Sequence, residues 1–290
     1  MQCAIILAPT YNKGKQIVLI NEKTMTDKLN IKHNTRKTFV FDLDGTIIYD
    51  GKPLEDKFEK ILLKIKSAGH DIVFATGRSW RDFVPVVPLW CSEQDSVVFG
   101  GGLVIASGEI KTQHFLDSAV LSEMVKFLED NHAHYLVDGH ANYYHPSKEH
   151  WLYQDIIKIS GQSRSAHVDH VLVDGAYKIL VLDDQFLEYF NQFIASHGLI
   201  IKYHFYDKCF DVMPGHVNKF AGLSELILPE KNDIFVFGND HNDLELMQEL
   251  PNSIMFGHHQ ELQKYAKIKI DYDDDLFENF VTVINTILGK

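Results

Sequence analysis

Phe39-Val40-Phe41-Asp42-Leu43-Asp44-Gly45-Thr46 joins an apolar run to two carboxylates two residues apart and a glycine turn. The run reads as a buried parallel strand, and the carboxyl end of such a strand is where open α/β sheets place their chemistry. Extended backbone through Leu43 points Asp42 and Asp44 the same way. That crowding of like charge calls for a cation between them. Taken alone, the pentapeptide also fits a strand that simply ends in an Asp-Gly turn.

Three further segments bear on the choice. Ile72-Val73-Phe74-Ala75-Thr76-Gly77-Arg78 is a second apolar strand, ending in a hydroxyl, a glycine and a cation. Val217-Asn218-Lys219-Phe220 opens a helix-like stretch with a lysine. Ile234-Phe235-Val236-Phe237-Gly238-Asn239-Asp240-His241-Asn242-Asp243 is a third buried strand running into an acidic loop. The four sites, in this order, resemble the motifs of the haloacid dehalogenase-like phosphatase superfamily. The long stretch between the second and third motifs, and the approach Met213 to Lys219, resemble its Cof-type branch with a large α/β cap.

The implied fold class is α/β, a doubly wound Rossmann-like parallel-sheet core with an inserted α+β cap domain. At 290 residues there is room for about two domains. Residues 1–36 form an N-terminal extension in which Ala4–Ala8 and Gln16–Ile20 suit a hairpin. Residues 37–102 and 210–290 are assigned to the core and 103–209 to the cap, with Gly100-Gly101-Gly102 as a hinge. Phe58, Ile61, Leu62 and Ile65 fall at helical spacing between Pro53 and a Gly69 cap. Within the insert, Leu121, Met124, Val125 and Leu128 mark one helix, and Phe186, Tyr189, Phe190 and Phe193 another. Tyr135–Val137, Val171–Val173, Ala176–Leu182 and Ile200–Tyr206 read as strands.

Cys3, Cys91 and Cys209 are isolated thiols, which favours a reducing cytoplasm. No run approaches the ~18 apolar residues of a spanning helix, so no membrane partner is expected. The net charge of -12 argues against a nucleic-acid binder. The expected partner is a small phosphorylated metabolite; oligomeric state is left open.

Asp42 is the candidate nucleophile, forming an aspartyl-phosphate. Asp44 would protonate the leaving alkoxide and later deprotonate water. By resemblance, the Asp42 carboxylate and the Asp44 backbone carbonyl bind Mg²⁺, with Asn239 and Asp243 in the downstream loop as further ligands or supports. Mg²⁺ and Lys219 together balance the three charges of Asp42, Asp44 and Asp243, and phosphoryl transfer needs mainly positioning and neutralisation. Thr76, Gly77 and Lys219 form the phosphate cradle; Arg78, His216 and His241 are substrate-contact candidates.

Two departures from the family pattern matter. Gly238-Asn239 stands where Gly-Asp is usual, replacing a metal carboxylate by an amide that still offers a hard oxygen; adjacent Asp240 is an alternative ligand. Phe220 follows the motif lysine and three glycines follow the third strand, where a glycine and an Asn-Gly pair are usual. The primary reading is a Mg²⁺-dependent phosphomonoester hydrolase acting on a sugar phosphate or similar metabolite. A non-catalytic phosphometabolite sensor, motivated by Asn239, and a sugar phosphomutase or phosphotransferase are the alternatives. The cluster Asp273-Asp274-Asp275 precedes an amphipathic helix and suits its N-terminal end.

Overall fold

The computed structural model describes residues 28–29, 31–32, 35–140, 142–146, 149–160, 167–204, 208–226 and 228–290. The expected hairpin of residues 4–20 and Cys3 lie outside them. The chain begins its regular structure with β1 (Thr38–Phe41), α1 (Asp56–Ser67), β2 (Asp71–Ala75) and α2 (Trp80–Phe83), followed by β3 (Asp95–Val98), β4 (Leu103–Ala106) and β5 (Glu109–Gln113). Next come α3 (Ser118–Asp130), β6 (Tyr135–Gly139), β7 (Tyr143–Tyr144), α4 (Trp151–Ser160), α5 (Val168–Asp174), β8 (Ala176–Val181), α6 (Leu187–His197), β9 (Leu199–His204) and β10 (Cys209–Pro214). The chain closes with α7 (Lys219–Ser224), β11 (Ile234–Gly238), α8 (Leu244–Glu249), β12 (Asn252–Phe256), β13 (Ile268–Ile270) and α9 (Leu276–Leu288). Among the described residues no helix is long and apolar enough to cross a membrane.

Contacts divide the chain into two compact units, Gly77–Glu225 and the segment ending at Thr76 together with Leu226–Lys290. The boundaries at 102/103 and 209/210 follow a change in element pattern. The contacts follow packing, since α7 lies against β3 and β4.

The unit that carries β1 is α/β, with parallel strands in the order β13-β12-β11-β1-β2. Its core is aromatic because in-register strands place like residues side by side: Phe39 pairs Phe235 and Phe41 pairs Phe237, with the latter rings 4.7 Å apart. Phe280 from α9 covers Phe41 and Phe237, and Phe58 from α1 packs against Phe280. Each fully buried phenylalanine contributes about 1.5–3 kcal/mol. Helix α1 starts at Asp56 after an extended Glu55, three residues beyond Pro53, and Gly69 leaves it at φ +84. Ahead of α9, Asp273 accepts from the Asp275 amide at 3.0 Å, so the acidic cluster closes the turn into the helix.

The other unit holds the β3-β4-β5 ribbon and a separate antiparallel sheet in the order β7-β6-β8-β10-β9. One face of that sheet, with Tyr135, Val137, Ile179, Val181, Phe210 and Val212, buries α3 and α6. The residues 171–173, read from sequence as a strand, are helical within α5. Val168, Val171 and Leu172 recur at three- and four-residue spacing toward the core, and Val173 is exposed. Tertiary burial overrides the strand preference of β-branched residues there.

The opposite face carries Leu136, Leu180 and Cys209 and, two residues away on each strand, Asp138, Lys178 and Asp211. Lys178 Nζ lies 3.0 Å from Asp211, and His204 Nε2 lies 3.0 Å from the same carboxylate. Burial pushes the Asp211 carboxyl up, but the Lys178 ammonium and the His204 hydrogen bond outweigh it and hold the group down at about 2, against 3.8 ordinarily. A carboxyl lowered on folding stabilises the fold above the unfolded value and loses that contribution as pH falls through the folded one. Urea midpoints are therefore expected to drop between pH 5 and pH 2, with Asp211 supplying up to about 2 kcal/mol of the loss. A Lys178→Met/Asp211→Leu double replacement should lack that share; an unchanged acid slope would refute it.

Candidate active site

The site is built where strands of the parallel sheet end. Asp42 follows β1, Thr76 follows β2, and Asn239 follows β11. Because these strands are parallel and adjacent, all three residues leave the same sheet edge. The Asp42 amide donates to the Phe237 carbonyl at 2.9 Å, tying the first acidic loop to the strand that delivers the downstream one. After Asp42 the backbone turns back sharply: the Leu43 carbonyl accepts from the amides of Thr46, Ile47 and Ile48, and Gly45 takes φ +80. A side chain is strained at that φ, which is why glycine follows the acidic pair.

The turn aims the Thr46 hydroxyl between the two loops. Its Oγ1 is 3.3 Å from Asp42 Oδ2 and 3.4 Å from Asn239 Oδ1. Asp42, Asp44, Asn239 and Asp243 are all buried. The Asp243 carboxylate accepts the amides of Asn239 and Asp240, at 2.9 and 3.2 Å, and so fixes the loop that presents Asn239. Gly238 is required beside it, since a Cβ there would stand 2.5 Å from the Asp243 carboxylate. Asp240 faces outward and caps the following turn, accepting from the His241 amide at 2.7 Å.

Two tyrosines brace the turn, and sequence reasoning did not single them out. Tyr49 donates to the Thr46 carbonyl and Tyr272 to the Gly45 carbonyl, both at 2.6 Å. Burial pushes the Tyr272 phenol well above its usual range; the Asn239 hydrogen bond opposes this, and Asp42, Asp240 and Asp243 add to it. Tyr272 stays a neutral donor. The available signal was its position just past β13, at the same carboxyl edge of the sheet.

The remaining candidates fall into two groups. In the Gly77–Glu225 unit, Gly77, Arg78 and Lys219 are buried. Arg78 Nη1 donates to the Asp82 carbonyl at 3.1 Å. Lys219 opens α7, whose cap is Asn218 accepting from the Ala221 amide at 2.8 Å. His216 is exposed and touches His114, which in turn bonds Glu225 at 2.7 Å. His241 is exposed, its ring 6.1 Å from that of His259.

A hard divalent ion fits the residues at the sheet edge. Among the described residues no three His, Cys, Asp or Glu side chains are grouped to hold a metal. The donor set is instead mixed, a carboxylate and an amide oxygen sharing one hydroxyl neighbour, and oxygen-only sets suit Mg²⁺.

A sequence profile of the haloacid dehalogenase-like hydrolases matches residues 39–276. The chain belongs to this family. Solved structures agree in fold. A protein from Thermotoga maritima superposes with a TM-score of 0.71 at 18% identity, covering 86% of this chain and 97% of its own. A haloacid dehalogenase-like hydrolase from Bacteroides thetaiotaomicron gives 0.72 at 19%, covering 86% and 100%. A subclass IIB sugar phosphatase of the same superfamily gives 0.67 at 13%, covering 87% and 99%. No curated protein matches the sequence. This haloacid dehalogenase-like hydrolase is thus an enzyme with the fold of the Cof-type branch, a parallel core sheet and a separate antiparallel cap sheet.

Proposed function

We propose that this hydrolase cleaves the phosphoester of a small cytoplasmic metabolite, a sugar phosphate or a close analogue, through an aspartyl-phosphate on Asp42. The reading is carried by the Thr46 hydroxyl, which stands between the Asp42 carboxylate and the Asn239 side chain and so unites the first and last motifs. An Asp42 oxygen attacks phosphorus while the bond to the leaving oxygen breaks, and Asp44 gives that oxygen its proton. Asp44 then takes a proton from water as the water oxygen attacks the same phosphorus. Inorganic phosphate leaves and the Asp42 carboxylate is restored. Thr76, the Gly77 amide and Lys219 are assigned to the phosphoryl oxygens.

The Asp42 carboxylate, the Asp44 carbonyl and the Asn239 side-chain oxygen would hold Mg²⁺, which supplies charge neutralisation when bound. Asp243 serves this set through the backbone, since its carboxylate is engaged by two amides. Phosphate release from an aryl phosphate is expected to require Mg²⁺ and to stop with a chelator. Turnover undiminished by chelator would exclude the metal.

Asn239 motivates the second reading, a phosphometabolite sensor. The two separate on one substitution. Asn239→Asp adds a carboxylate to the metal set, so half-saturation by Mg²⁺ is expected at a concentration on the order of tenfold lower. In the hydrolase this appears in the Mg²⁺ dependence of phosphate release. A protein stabilised by phosphorylated ligands, with no turnover in either form at saturating Mg²⁺, would favour the sensor.

A further inference from the structure

His114, His216 and Glu225 meet within the Gly77–Glu225 unit, although 102 positions separate the two histidines and 111 separate His114 from Glu225. The fold places each of them through backbone bonds. His114 follows β5, and its amide donates to the Gly102 carbonyl at 2.8 Å. His216 stands in the turn that Val217 closes by donating to the Pro214 carbonyl at 3.0 Å. Glu225 follows α7, its amide donating to the Gly222 carbonyl at 3.2 Å.

Hydrogen bonding sets which nitrogens are available. His114 Nε2 lies 2.7 Å from Glu225 Oε1. A carboxylate only accepts, so that nitrogen carries the proton, and in the neutral ring Nδ1 is left with a bare lone pair. His216 Nε2 faces Nδ1 at 3.2 Å. The ring centres are 4.9 Å apart and the planes cross at 83°. A straight N–H···N bond over that distance would set the centres farther apart, so the contact is bent, as it is when two nitrogens face a common third atom. Two imidazole nitrogens about 2.05 Å from one ion stand roughly 3.1–3.4 Å apart at angles of about 100–110°.

Glu225 occupies the position that a carboxylate takes behind a metal-bound histidine, where accepting the second ring N–H fixes the tautomer and raises the basicity of the ligating nitrogen. Its Oε2 is buried without a hydrogen-bond partner among the described residues, so its negative charge stays beside the rings and favours a cation over an anion. Imidazole nitrogen suits Zn²⁺ and Ni²⁺, whereas Mg²⁺ takes oxygen. Among the described residues no third His, Cys, Asp or Glu completes a ligand group, and the remaining coordination positions belong to water, which reaches the pair because His216 is exposed.

We propose that His114 Nδ1 and His216 Nε2 form a binding site for a divalent transition-metal ion, zinc or nickel, with Glu225 as the carboxylate behind His114. On binding, the His216 proton moves from Nε2 to Nδ1 and each facing nitrogen gives its lone pair to the ion. The bound ion ties the segment that follows β5 to the turn that leads into α7.

Calorimetric titration of the untagged full-length protein with nickel chloride and with zinc chloride, in buffer holding excess Mg²⁺, tests this. Saturable binding is expected in the parent. His216 is exposed, so the fold survives its replacement, and His216→Gln should lose about one equivalent of bound ion or hold it at least about tenfold more weakly. His114→Gln should behave alike. Glu225→Gln keeps both nitrogens and removes the charge, and should weaken binding about 10–100-fold. His132→Gln, at another exposed histidine, should bind as the parent does. Thermal unfolding gives a second readout: nickel should raise the Tm of the parent more than that of His216→Gln. Absence of saturable binding in the parent, or equal binding in the parent and both histidine variants, would overturn the proposal and leave the two rings as a plain hydrogen-bonded pair. Unchanged affinity in Glu225→Gln would overturn the part given to the carboxylate. None of these measurements needs turnover, so a failure to release phosphate bears on the phosphatase reading alone.

Discussion

An Asp42→Asn enzyme is expected to release phosphate at least about 10³-fold more slowly than its parent at saturating Mg²⁺. An amide is a poor nucleophile toward phosphorus, and it also takes a full charge from the metal set. A thousandfold loss corresponds to about 4 kcal/mol of barrier. The fold should not share in it. The residue's backbone amide still reaches the Phe237 carbonyl, and the Thr46 hydroxyl still finds an oxygen of the same shape at the same place. Removing one of two like charges from a buried loop also relieves repulsion. Thermal unfolding without Mg²⁺ should therefore occur at the parent temperature or above it. Full turnover in the variant would refute Asp42 as the nucleophile; loss of folding would show instead that the carboxylate holds the turn together.

Gly101→Ala is expected to destabilise the protein by about 3 kcal/mol or more and to depress turnover as well. Gly101 sits at φ +114, and a Cβ on it would overlap the carbonyl of Asn218. Asn218 is the cap of α7 and the residue before Lys219, so the overlap must be relieved by moving the backbone that carries the lysine. Gly222, one turn into α7, also sits in a close approach, since an added Cβ would stand 2.6 Å from Val97 Cγ1 and 3.2 Å from the Gly101 Cα. Gly100→Ala is the control. Its φ is +62, but the nearest atom to its Cβ is the flexible Met213 Cε at 3.5 Å, so about 1–2 kcal/mol of backbone strain is expected. Urea midpoints and kcat/KM measured on both variants check this. Equal, small effects would show that α7 does not depend on close approach at Gly101. The three glycines, read from sequence as a hinge, thus include one whose missing side chain is needed for contact.

Much of the core was legible because hydrophobic periodicity is local. The runs before Asp42, Thr76 and Asn239 are the strands β1, β2 and β11, and Leu121, Met124, Val125 and Leu128 are all buried on α3. Where a segment's pattern served two structures, as at residues 171–173, only packing chose between them. Cys91 and Cys209 are both buried.

Sequence by itself determined where the candidate residues stand, because a strand that ends in Asp42-Leu43-Asp44 presents charge at a sheet edge whatever surrounds it. Tertiary structure alone decided how those residues are held. Thr46 lies 193 positions from Asn239, and Tyr272 lies 227 from Gly45. Such pairs arise only when strand order sets β13, β12, β11, β1 and β2 side by side. Hydrogen-bond satisfaction is a property of the packed interior, and no spacing along the chain encodes it.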